Sequence, residues 1–77
     1  MNIAPPSQNE IEAAIKRNTT RLKRAETAYR KNPNFANDEK VHEAQSDLNS
    51  WLSFKNPIKV GPNLQFVNGH LTRIEAA

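Results

Sequence analysis

Apolar residues recur at Ile11, Ile15, Leu22, Ala25 and Tyr29, with Asn18 filling the one polar place in a 4-3-4-3-4 spacing. That spacing keeps all six positions on one face of a helix, as in a coiled-coil seam. The spacing predicts a helix over 7–31. Ser7-Gln8-Asn9-Glu10 is a capping box, in which the serine oxygen accepts from the backbone of Glu10 and Glu10 reaches back. Arg30 and Lys31 suit the negative end of the helix dipole, and Asn32-Pro33 stops the helix because a residue before proline avoids helical angles. The proline pair Pro5-Pro6 makes residues 1–6 a loose lead-in. Asn18 is expected to be a polar break that sets register in the packing.

A second stripe follows at Val41, Ala44, Leu48, Trp51 and Leu52. It predicts a helix over 37–54, with Asn37 as its cap and Asp38 and Glu39 in the first turn, where a carboxylate is favoured. Ala36 and Val41 are placed to form a hydrophobic staple around that cap, and Phe35 to plug the end of the hairpin. Asn56-Pro57 ends the helix. A link as short as 32–36 makes the two helices antiparallel neighbours.

Beyond Pro57 the period changes to two. Ile58-Lys59-Val60 is a short strand, Gly61-Pro62-Asn63 a turn, and the stretch from Leu64 to Ile74 a hairpin around Asn68-Gly69. Asn-Gly supplies the two positive φ angles of a type I′ turn. Its register pairs Val67 with His70, Phe66 with Leu71, Gln65 with Thr72 and Leu64 with Arg73. Leu64, Phe66 and Leu71 then share a face, which is expected to dock on the helices near Trp51 and Phe54, since a lone hairpin is marginal in water. The fold class expected is α+β, an antiparallel two-helix hairpin followed by a small C-terminal β-hairpin, in one domain spanning 1–77.

Composition sharpens this picture. Leu, Ile, Val and Phe make up only 16 of 77 residues, and a core of that size supplies about 3–5 kcal/mol by itself. There is no cysteine to staple it. Self-association is the remaining common remedy, so a homo-oligomer such as a dimer is expected. No apolar run approaches the length of about 20 residues that spans a membrane. Met1 to Pro6 lacks the pattern of a secretory signal, which makes the cytoplasm the expected location. Asn18-Thr19-Thr20 matches a glycosylation sequon, but its mid-helix place argues against use.

Candidate chemistry is sparse. The chain has no thiol nucleophile, no serine in a recognisable triad setting, and only two glycines, each assigned to a turn. No enzyme activity and no cofactor are expected. His42 with Glu43, Asp38 or Glu39 offers one imidazole and helical carboxylates, which reads as a solvated face rather than a metal site.

Charge carries more information. Seven of the eleven lysines and arginines fall between Lys16 and Lys31, where Glu26 is the single acid. Six of them form doublets every seven residues: Lys16-Arg17, Lys23-Arg24 and Arg30-Lys31. The doublets lie opposite the apolar seam and recur about every 10.5 Å. Such a ridge is a candidate polyanion site, although the acidic stretch Asp38 to Asp47 answers part of the charge, and no aromatic residue on that face offers a stacking platform. Trp51, Phe54 and Tyr29 are the candidate protein-binding residues, because large aromatics dominate binding hot spots. The function expected is a small accessory or regulatory protein that binds another protein. A sequence-tolerant nucleic-acid-binding protein is the alternative.

Overall fold

The structure is a computed structural model that describes residues 4–74. Two α-helices, α1 (Gln8–Lys31) and α2 (Phe35–Leu52), are followed by strands β1 (Ile58–Gly61), β2 (Leu64–Val67) and β3 (His70–Arg73). The strands form one antiparallel sheet in the order β1-β2-β3. The architecture is therefore α+β, a helical hairpin with C-terminal strands. The first half of the expected lead-in, residues 1–3, lies outside the described residues.

Helix α1 starts where its cap predicts. The Ser7 hydroxyl accepts from the Glu10 backbone N–H at 3.2 Å, and the helix ends at Lys31 with Asn32 as its C-cap. Helix α2 starts two residues before the sequence reading placed it. Its cap is Asn34, whose side chain accepts from Asn37 N–H at 2.8 Å. Asn37 instead lies in the first turn, and its amide Nδ2 donates to the Asn32 carbonyl at 2.8 Å. The reason is local. Asn34 follows the proline in extended geometry, so it reaches the capping position first. The earlier start puts Phe35 on the side of α2 opposite Ala44, and Phe35 is 76% exposed. It does not plug the hairpin, and the staple expected from Ala36 and Val41 has no cap between its two halves.

The helices pack through small residues. Ala14 and Ala44 are fully buried, and Leu48 is buried beside them. Alanine brings the two backbones close, so the contact is tight but contains little apolar volume. Ile11, Ile15, Asn18, Leu22 and Ala25 are half-buried along the same side of α1. Asn18 turns its amide back to donate to the Ala14 carbonyl at 2.8 Å. Its hydrogen bond therefore stays within α1. Arg21 reaches across the packed side to Asp47 and lies 4.0 Å from Glu43 on α2.

The hairpin β2–β3 has the expected register, from Leu64 with Arg73 to Val67 with His70. Asn68 (φ 50°) and Gly69 (φ 84°) supply its turn. Strand β1 adds a third strand through the pairs Ile58–Phe66, Lys59–Gln65 and Gly61–Leu64, with Val60 as the extra residue of a bulge.

Candidate functional site

The hydrogen bonds that hold the sheet to the helices are made by its turn. Ser53, the C-cap of α2, is 2% exposed. Its Oγ accepts from the Gly69 N–H at 2.8 Å and donates to the Ser50 carbonyl at 2.6 Å. The Ser50 hydroxyl donates to the Gly69 carbonyl at 2.8 Å, and the Asn68 N–H donates to the Ser53 carbonyl at 3.3 Å. Both polar groups of Gly69 are thus bonded to the last turn of α2. The Phe54 ring lies under the same glycine, where an added Cβ would come within 2.8 Å of the ring. Trp51 packs on Phe54 with ring centroids 5.7 Å apart. Sequence reasoning missed Ser50 and Ser53, since serine near a helix end is an ordinary solvated residue until another segment returns to it.

Beyond this anchor the sheet covers the helices only in part. Val60, Leu64 and Leu71 are 42%, 41% and 56% exposed. With Phe66 they wall one side of an open cleft, and His42, Gln45, Ser46 and Asn49 of α2 wall the other. The expected docking of Leu64, Phe66 and Leu71 on the helices is therefore only partial. Phe66 is half-buried, and the two leucines remain open.

The three aromatic candidates do not form one site. Trp51 and Phe54 sit at the turn anchor and border a cleft with Pro6, Glu10 and His70. Tyr29, 38% exposed, lies at the other end of the helical hairpin in a cleft with Val41 and His42. From Glu10 to Tyr29 the helix rises about 28 Å. Trp51 and Phe54 are both half-buried, so each has a structural role in seating the turn beside any role in binding.

The six doublet residues Lys16, Arg17, Lys23, Arg24, Arg30 and Lys31 are all exposed on α1, and Arg30 also borders the cleft that Tyr29 shares with Asp38, Val41 and His42 of α2. Among the described residues, no ion pair involves any of them. Three of the four acids of α2 are engaged elsewhere: Glu43 and Asp47 meet Arg21, and Asp38 meets His42 Nε2 at 3.4 Å. The acidic stretch therefore does not answer the ridge at contact range.

Other chemistry is thin on the surface. Among the described residues, no three His, Cys, Asp or Glu side chains gather in a way that could hold a metal ion, and no helix is long and apolar enough to cross a membrane. No protein-family model matches this chain, and no curated protein and no solved structure is found similar to it. The surfaces must be read from their own chemistry.

Proposed function

We propose that this chain is a small, non-enzymatic accessory protein that acts by binding another protein, and that it works as an oligomer. The observation that supports this reading is the uncovered apolar wall of Val60, Leu64 and Leu71 facing α2. A cleft with one apolar wall and one polar wall suits an apolar protein segment framed by hydrogen bonds. Covering such side chains is worth about 25 cal/mol per Å² of apolar surface removed from water. The need for cover is independent of any partner's identity, because fully buried apolar residues are so few in the single chain.

A second copy is the simplest source of that cover. The test is sedimentation of the purified protein across a wide concentration range, wild type beside Leu71→Asp. The reading expects the wild type to associate, and the variant to stay monomeric with its helical circular dichroism unchanged. A wild type that remains monomeric at high micromolar concentration removes self-association from the reading. Association that Leu71→Asp leaves untouched places the contact elsewhere.

The nucleic-acid reading keeps specific support of its own, the doublets of α1, which make no ion pair among the described residues. They lie on a different surface from the sheet cleft, so the two activities are compatible.

A further inference from the structure

We infer that the outer face of α1 is a two-row rail that seats in the major groove of B-form duplex DNA, binding phosphates on both sides without reading sequence. The geometry follows from the helix. Lys16, Lys23 and Arg30 form one row, and Arg17, Arg24 and Lys31 form a second. At 3.6 residues per turn the rows stand about 100° apart around the axis, and each drifts only about 20° per heptad. They therefore run side by side along the helix for about 21 Å.

Between the rows lies a floor of small residues with the same period. Ala13, Thr20 and Thr27 are seven apart, and all are exposed. The Thr20 hydroxyl donates to the Lys16 carbonyl at 3.2 Å, and the Thr27 hydroxyl to the Lys23 carbonyl at 2.9 Å. Thr27 Oγ1 also accepts from Arg30 Nη2 at 3.5 Å, so the hydroxyls of the floor are engaged within the helix. Lys16, Arg17 and Arg24 stand around Ala13 and Thr20 as the walls of a shallow cleft.

Charge on two flanks and small groups in the middle suit a helix lying in a groove. A helix is about 10–12 Å across with its side chains, and the major groove of B-DNA is about 12 Å wide. The rows then face the two phosphate backbones that border the groove, while the floor faces the base edges. The floor has no Arg, Asn or Gln to make bidentate base contacts, and its hydroxyls are already engaged, so binding is sequence-tolerant. The A-form RNA duplex has a major groove too deep and narrow for side chains to read, so the rail discriminates against it. Single strands gain no stacking, because no aromatic residue lies on this face.

The test is fluorescence anisotropy of the full chain against a mixed-sequence DNA duplex, an RNA duplex of the same sequence, and heparin, over a salt series. With all six cations engaged, the log–log salt slope on DNA is expected near about −5, a loss of roughly a thousandfold between 50 and 200 mM salt. Lys23→Glu/Arg24→Glu should weaken DNA binding at least tenfold and flatten the slope by about 2. Lys40→Glu/Lys59→Glu makes the same change in net charge at exposed positions off the rail and should leave binding within threefold. Circular dichroism checks that both variants fold. Equal weakening by the two variants would overturn the proposal, since net charge alone would then explain binding. So would equal affinity for DNA duplex, RNA duplex and heparin, or no binding to the DNA duplex at about 50 mM salt.

Discussion

Replacing Ser53 by alanine isolates the contact that positions the sheet. Ser53 is 2% exposed, so water does not take over the bonds of its Oγ. The change strips the Gly69 N–H of its acceptor and the Ser50 carbonyl of a donor. A buried donor left without a partner costs about 1–3 kcal/mol, and a lost ordinary hydrogen bond about 0.5–1.5 kcal/mol. The expected loss is thus about 2–4 kcal/mol, much of the roughly 3–5 kcal/mol that a core of this size supplies. Urea unfolding followed by circular dichroism should show the midpoint falling by at least about 1 M at unchanged slope. Ser50→Ala is the comparison. Its hydroxyl is half-buried and bonds the Gly69 carbonyl, so its loss should cost only about 0.5–1.5 kcal/mol. Native-state hydrogen exchange gives a second readout, with the Gly69 amide expected to lose protection in the Ser53 variant even where global unfolding is hard to resolve. A cost for Ser53→Ala below about 0.5 kcal/mol, or below that of Ser50→Ala, would refute the idea that this hydroxyl holds the turn.

Gly69→Ala should be worse tolerated than a surface glycine change. Its φ is 84°, its Cβ would meet the Phe54 ring at 2.8 Å, and thermal unfolding should report about 2–4 kcal/mol of lost stability. Asn34→Ala should cost about 1 kcal/mol in denaturant titration, more than Asn37→Ala, because Asn34 is the cap of α2. A double-mutant cycle of Arg21→Ala and Asp47→Ala should give a coupling of about 0.2–1 kcal/mol at low salt that shrinks in 1 M salt, as for any exposed pair.

Local features were the ones legible in the sequence. The Ser7 cap, the stop at Asn32-Pro33 and the register around Asn68-Gly69 each depend on residues within a few positions of one another. The cap of α2 was misplaced because Asn34 and Asn37 both suit the role. The acids at Asp38 and Glu39 favoured the later one, and only the backbone after Pro33 decides between them. The packing centre was less visible. Ala14 carries no strong apolar signal, yet it is the fully buried residue of α1, because close approach of two helices selects small side chains. Ser53 was invisible for a different reason. Its burial comes from a glycine 16 positions later, and no local pattern records that return. The same return explains why the apolar face of the sheet stays open. Bonds at the turn anchor one end of the hairpin, and Leu64 and Leu71 stay exposed across an open cleft from α2. The basic doublets were plain in the sequence. That Glu43 and Asp47 of α2 are engaged with Arg21 was not, since it depends on how the two helices are rotated against each other.

The claim that a protein chain covers the open face of the sheet is tested most directly by site-specific photo-crosslinking. A benzophenone amino acid at Leu71, expressed in cells and irradiated, should give one discrete protein adduct, either with a second copy or with a distinct partner. The same probe at the exposed Thr27 on the outer face of α1 should not give that adduct. Irradiation that leaves the Leu71 protein free of any adduct, or that yields the same products from both positions, would contradict the account.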